Sequence, residues 1–401
     1  MSALIPYGRQ NIGQADIDAV IDVLTSDFLT QGPVVPRFEK AVAAYSGARH
    51  AIAVNSATSA LHIACLALDL GPGDWLWTSA TTFVASSNCA LYCGARVDFV
   101  DIDPRTYNMS VERLAEKLVI AEREGKLPKI VVPVHMCGQS CDMAAIHTLS
   151  LKYGFKIIED ASHAVGGEYK GPAAAGASEQ AFELIGNCRY SDITVFSFHP
   201  VKIITTAEGG MTMTNRDDLA DRMRRYRSHG ITSDTALMQS RPADEIWNYQ
   251  QIALGYNYRL TDLHAALGLS QLARLDEFVA QRRQIATAYD QALARLPLIL
   301  PWQHPNTRSA YHLYPIRVRQ NQCGKSQREV YDGLWAAGVA ANLHYIPVHR
   351  QPYYEAMGFT AGYCPEAELY HKETISLPMF PTLSGEQQQH VIRTLTNLLS
   401  V

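Results

Sequence analysis

Between residue 36 and about residue 214, short β-branched runs alternate with stretches of helical pattern, and this alternation limits the possible folds more than any other feature of the chain. The clearest strand-like runs are residues 51–54, 97–100, 130–133, 156–160, 193–197 and 210–214. Helical patterns such as residues 111–122 and 143–153 separate them. A strand that rejoins its sheet after a covering helix runs parallel to its predecessor, so the pattern predicts an α/β fold with a mainly parallel sheet and helices on both faces. In such sheets ligands bind beyond the carboxyl ends of the strands. After a helical pattern over residues 261–295, Leu296-Pro297-Leu298-Ile299-Leu300-Pro301 marks a change of character. A strand-like run (313–318), a helix (326–337) and a last helix opened by Ser384 with Gln387 three residues on, a capping-box spacing, follow it. The expected organisation is a large unit over residues 15–269 and a smaller α+β unit over 270–401. Residues 171–184, poor in bulky side chains, read as a flexible loop.

The chemistry concentrates on one lysine. Phe196-Ser197-Phe198-His199-Pro200-Val201-Lys202 runs into Thr205-Thr206-Ala207-Glu208-Gly209-Gly210, which sets Lys202 between an apolar run and a glycine turn. Flanked by Val201, Ile203 and Ile204, its ammonium would be desolvated and its pKa lowered, which turns an amine into a nucleophile near neutral pH. A lysine snorkelling from a strand end is the commoner use of such a position. Three upstream features weigh against that use. Ile157-Ile158-Glu159-Asp160-Ala161-Ser162-His163 is an apolar strand ending in a carboxylate, with a histidine three residues later. Asp160 is suited to hold the charged ring nitrogen of pyridoxal phosphate, and His163 to pack on that ring or bond to it. His50 to Val54, Asn55-Ser56-Ala57-Thr58-Ser59 and the helical run after them form a strand, a small-residue turn and a helix start, where free amides favour a phosphate. Thr81-Thr82-Phe83 places an aromatic ring at a strand-to-helix junction. Neither nucleotide-binding glycine fingerprint occurs.

In this order the residues resemble the fold-type I pyridoxal phosphate enzymes, and among them the DegT/DnrJ/EryC1/StrS sugar aminotransferase family, over essentially the whole chain. The segments Ser26-Asp27-Phe28-Leu29-Thr30-Gln31-Gly32-Pro33, the block from Phe196 to Gly210, Arg227-Ser228-His229-Gly230 and Leu343-His344-Tyr345 are similar to the family's pseudaminic acid branch. The resemblance implies that Lys202 holds the cofactor covalently and acts in catalysis, with Asp160 at the ring nitrogen. It further implies that Ser197, Ala57 and Thr58 serve the phosphate, that Phe83 stacks, that His163 lies against the ring, and that Asn257 in Gly255-Tyr256-Asn257-Tyr258-Arg259 reaches the phosphate site of a second subunit. The same resemblance makes the chain a homodimer, packs residues 1–14 with the smaller unit, and assigns Tyr7, Asp27, Phe28, Leu29, Thr30, Ala57, Ser197, Asn257, Asn342, Leu343, His344 and Tyr345 to the substrate. The implied reaction moves an amino group from L-glutamate to carbon 4 of a UDP-linked 4-keto-6-deoxy-N-acetylhexosamine of the β-L-arabino series. Open alternatives are a D-configured UDP sugar or a dTDP sugar as acceptor, and a cofactor-binding regulatory protein without turnover. Dehydratases of this fold carry histidine at the lysine position, and Lys202 argues against that activity.

A net charge of -4 over 401 residues carries no polyanion-binding signal. Eight cysteines without paired metal spacing fit reduced thiols, and no second Cys/His group completes a zinc site with His135, Cys137 and Cys141, so no metal is expected. With no run of about 18 apolar residues and no apolar core in residues 1–10, the chain reads as cytoplasmic.

Overall fold

The structure, a computed structural model, describes residues 4–171, 181–242, 244–245 and 248–399. Its centre is a seven-stranded sheet of β1 (His50–Val54), β2 (Trp75–Ser79), β3 (Arg96–Val100), β4 (Ile130–Val132), β5 (Lys156–Asp160), β6 (Ile193–Ser197) and β7 (Gly210–Thr214), in the spatial order β1-β7-β6-β5-β4-β2-β3. All neighbours run parallel except β7, which is antiparallel to both β1 and β6. The exception arises because no helix separates β6 from β7, so the chain turns back beside itself. Every residue of β6 and β7 is buried, as expected of central strands covered on both faces. Side chains alternate between two cores. Ile52 and Val54 join Ile193 and Val195 on one face beneath the helix Ala57–Ala67, while Ala51 and Ala53 join Phe196, Met211 and Met213 on the other beneath Phe38. Each fully buried large apolar side chain contributes about 1.5–3 kcal/mol relative to exposure.

A further apolar cluster gathers Tyr289, Leu293, Tyr314, Ile316, Val391 and Leu395, together with Ile5. It lies around a three-stranded antiparallel sheet of Leu298–Ile299, Tyr314–Val318 and Thr374–Leu377 and the helices Gln327–Ala336 and Gly385–Leu399. Ile5–Pro6 pairs in parallel with Val339–Ala340, which ties the beginning of the chain to this region. The last helix carries the capping box: Ser384 N donates to Gln387 Oε1 at 3.0 Å and Gln387 N to Ser384 Oγ at 3.1 Å.

Two expectations need correction. The helical pattern over residues 261–295 is two helices, Asp262–Leu272 and Leu275–Leu293. The second serves both regions, with Phe278 and Val279 under the large sheet and Ile285 and Tyr289 in the smaller cluster, so the change of core falls within this helix and not at the break. Of the stretch read as a flexible loop, Phe182–Leu184 is a strand paired antiparallel with Glu168–Lys170, because Phe182 and Leu184 supply period-two bulk that the small residues before them lack. Residues 172–180 lie outside the described residues. His135 serves structure: its Nε2 meets Glu159 Oε2 at 2.8 Å and its Nδ1 accepts from Cys141 N at 3.1 Å. Among the described residues no helix is long and apolar enough to cross a membrane.

Candidate active site

The lysine loop is shaped by the return from β6 to β7. Phe198 N donates to Gly209 O at 3.0 Å, Thr206 N and Thr205 Oγ1 both donate to Phe198 O at 3.0 Å, and Lys202 N donates to His199 O at 2.9 Å. The loop therefore closes on itself and presents Lys202 into a cavity of about 380 Å³ at the carboxyl ends of the strands. Burial lowers the Lys202 ammonium from 10.5 to about 8, against the opposing pull of the Asp160 charge. Ser197, the last residue of β6, lines the same cavity.

Asp160 ends β5 and is buried. Its Oδ1 accepts from Ser162 N at 3.1 Å and its Oδ2 from Ser86 Oγ at 2.6 Å. His163 is buried beside it, with Nε2 3.3 Å from the Tyr345 hydroxyl and Nδ1 without a hydrogen-bond partner among the described residues. Burial, reinforced by Lys202 and His344, keeps His163 well below its usual pKa. The same two causes, burial first and Lys202 second, lower His344 to about 3. His312, with its ring centroid 4.4 Å from that of His163, is also lowered by burial. Near neutral pH these imidazoles add no positive charge around Lys202.

Opposite the lysine, β1 passes through Asn55 and Ser56 into the helix Ala57–Ala67. Ser56 caps that helix by accepting from Ser59 N at 3.1 Å, and Ser59 Oγ donates to Asn55 Oδ1 at 2.6 Å. The first-turn amides of Ala57 and Thr58, which have no intrahelical acceptor, border the cavity. Gly210 makes room for this turn: a Cβ there would lie 2.5 Å from Ala57 N and 2.6 Å from the Ser56 carbonyl carbon. Phe83 is 57% exposed onto the cavity, its ring 6.2 Å from that of Tyr345. Tyr7, Asn342, Leu343, His344 and Tyr345 complete the wall on the side of the smaller cluster. Burial raises the Tyr7 phenol, and Tyr7 packs against His344 with ring centroids 5.3 Å apart.

The structure thus brings together Tyr7, Ala57, Thr58, Phe83, Asp160, His163, Ser197, Lys202 and residues 342–345. Asn257, Asp27, Phe28, Leu29 and Thr30 do not line their own chain's cavity, and all five are exposed. They are held elsewhere instead: Thr30 bridges to Thr261, Asp262 N donates to Leu29 O at 3.0 Å, and Asn257 bridges to Ser228. Sequence reasoning missed Ser86 and His312, and gave no role to Ser162, His199 or Glu208, which also line the cavity. The spacing of Thr82 and Ser86, four residues apart at a helix start, was a usable signal for Ser86; nothing around His312 marks it.

The sequence profile of the DegT/DnrJ/EryC1/StrS aminotransferase family matches residues 10–396. The spore coat polysaccharide biosynthesis protein SpsC of Bacillus subtilis is 37% identical over 398 residues, 98% of this chain and 97% of that protein. Among solved structures, Helicobacter pylori PseC, an aminotransferase involved in the biosynthesis of pseudoaminic acid, superposes with a TM-score of 0.86 at 30% identity over 99% of both chains. The PLP form of the sugar aminotransferase Spr1654 from Streptococcus pneumoniae superposes with a TM-score of 0.84 at 28% identity over 98% of both chains. A family match along nearly the whole chain, joined to a half-buried lysine that shares one cavity with a carboxylate and a helix start, leads to one conclusion: the chain belongs to the DegT/DnrJ/EryC1/StrS family of pyridoxal-phosphate-dependent sugar aminotransferases.

Proposed function

We infer that Lys202 carries pyridoxal phosphate and that the acceptor is a UDP-linked 4-keto-6-deoxy-N-acetylhexosamine, aminated at carbon 4 with L-glutamate as donor. The observation that carries the cofactor placement is Lys202, lowered to about 8 by burial, in one cavity with Asp160 and the uncapped amides of Ala57 and Thr58. The residues fit the group: a nucleophilic amine, a carboxylate for a ring nitrogen, helix-start donors for a phosphate, and the Phe83 ring for a face. When bound, pyridoxal phosphate supplies the electron sink that stabilises charge on the carbon bearing the transferred nitrogen. Once the donor's amine has displaced it from the cofactor, the freed Lys202 amine would take a proton from that carbon and return it on the other side of the transfer. Ser197 would offer a hydroxyl to the phosphate, and neutral His163 would pack on the ring without competing with Lys202 for the Asp160 charge.

The sugar assignment is supported by the motifs at residues 27–30, 198–202 and 342–345 and by the likeness to PseC. Buried polar groups that only the correct sugar satisfies set such preferences, because leaving them unpaired costs binding. Asn257 and residues 27–30 are exposed and do not line their own chain's cavity, which supports a homodimer in which they serve the partner's site. The location proposed for the enzyme is the cytoplasm, where nucleotide sugars are made.

Two measurements test the reading. Borohydride reduction of the holoenzyme followed by peptide mapping should place the cofactor on Lys202; label on another lysine overturns that placement. With glutamate as donor, catalytic efficiency should be highest on the UDP-linked β-L-arabino 4-keto sugar in a panel that includes D-configured UDP and dTDP 4-keto sugars. A clear preference for a D-configured sugar would move the assignment to another branch of the family.

A further inference from the structure

The Asp160 carboxylate is held at both oxygens, and the donor at Oδ2 comes from outside the strand that carries it. Ser86 lies in the first turn of the helix Ala85–Tyr92 and is fully buried. Three groups surround its hydroxyl: Asp160 Oδ2 at 2.6 Å, Thr82 Oγ1 at 2.8 Å and the Phe83 carbonyl at 3.3 Å. A serine hydroxyl has one proton to give. An ionised carboxylate oxygen can only accept, and it is the nearest of the three, so the proton goes to Asp160. Ser86 Oγ must then accept from Thr82, which makes the arrangement one-directional: Thr82 donates to Ser86, and Ser86 donates to Asp160. The Phe83 carbonyl keeps a donor of its own in Ser86 N at 3.2 Å.

We propose that Ser86, oriented by Thr82, is a positioning residue for the aminotransferase reaction: it holds the Asp160 carboxylate in the orientation that faces the cofactor's ring nitrogen. This rests on the reading of Asp160 as that nitrogen's partner. With the Ser162 amide as its only donor, the carboxylate would be free to turn about its terminal torsion, which is broad and two-fold. A second donor on the other oxygen fixes its plane. Ser86 belongs to the same turn as Phe83, so one junction sets both the ring that would cover the cofactor's face and the grip on the charge at its edge.

The test compares Ser86→Ala, Ser86→Thr and Asp160→Asn holoenzymes loaded with pyridoxal phosphate carrying ¹⁵N in the ring. The ring ¹⁵N resonance is recorded beside kcat and KM for glutamate. Ser86→Ala should move the resonance toward its unprotonated position and lower kcat by about tenfold to a hundredfold, with KM changed by less than about threefold, the size expected for losing a donor to a charged group. Ser86→Thr, which keeps the hydroxyl, should restore both. A wild-type resonance and kcat in Ser86→Ala overturns the inference. Asp160→Asn separates the two levels of argument. If it shifts the resonance and Ser86→Ala does not, only the role of Ser86 fails; if Asp160→Asn itself leaves the resonance in place, the reading of Asp160 fails first. Should Ser86→Ala not fold, Ser86→Cys, of similar size with a weak donor, makes the same comparison.

Discussion

Lys202 illustrates how a single environment sets both reactivity and stability. With its pKa lowered from 10.5 to about 8, about a quarter of the amine is neutral at pH 7.5, against about 0.1% for an unperturbed lysine. The same shift sets a pH dependence whose sign follows from proton counting. Between about 8 and 10.5 the unfolded chain binds more protons at this position than the folded one, so folded stability rises with pH across that window and the full burial penalty is present below it. In the cofactor-free protein, Lys202→Met should remove the penalty. Its stability advantage over wild type, from urea unfolding, is expected to shrink by on the order of 2 kcal/mol between pH 7 and pH 10.5, after allowance for solvent in the cavity. A difference that stays flat with pH would show that the lysine is not desolvated. Lys202 and Asp160 were legible in the sequence because each ends a recognisable apolar run. His312 was not, since its burial against His163 depends on a packing of distant segments that no local pattern encodes.

At the scale of elements, the six strands read from β-branched runs are all present within two residues of their expected ends, because buried central strands leave a near-continuous apolar signal. The antiparallel course of β7 was not anticipated; it follows from the absence of a helix in the lysine loop and not from anything within the strand. The break at residues 273–274 was missed because both halves of the pattern are helical and both flanks of the break pack on the same core, so no change of apolar pattern marks it. Gly210 links two elements directly. Because an added Cβ would meet backbone atoms of Ser56 and Ala57, Gly210→Ala has to push the helix start away from β7. We expect a loss of about 2 kcal/mol in stability and a larger proportional loss of cofactor affinity than of fold. Thermal unfolding with and without pyridoxal phosphate separates the two, and an unchanged cofactor affinity would show that the turn does not bear the phosphate.

At the scale of the molecule, the cavity is assembled from both ends of the chain, and one group of expected site residues faces outward. Asn257 is exposed, while its loop is anchored through Asn55 N donating to Tyr258 O at 2.9 Å and a bridge from Val54 to Arg259. If that loop completes a neighbour's site, a Lys202→Ala chain and an Asn257→Ala chain, each inactive alone, should regain activity when mixed, since one site of each mixed dimer is intact. The expected recovery is up to about a quarter of wild-type activity at equal mixing, from random pairing of the two chains into symmetric dimers. No recovery after proven subunit exchange would confine the site to one chain. This expectation comes only from family resemblance, because a residue that would act across an interface leaves no mark in its own chain's contacts.

The pairing of Ile5–Pro6 with Val339–Ala340 bears on when the protein becomes competent during its synthesis. The strand that delivers Tyr7 to the cavity wall is made before the central sheet, yet the segment it pairs with is made after it. Lys202, Asp160 and the helix start at Ala57 all belong to that sheet, so one chain's share of the proposed cofactor pocket can form while the Tyr7 side of the cavity is still missing. That share of the pocket would be in place before the wall proposed to select the sugar, and residues 5–6 must stay unpaired until residues 339–340 have been made.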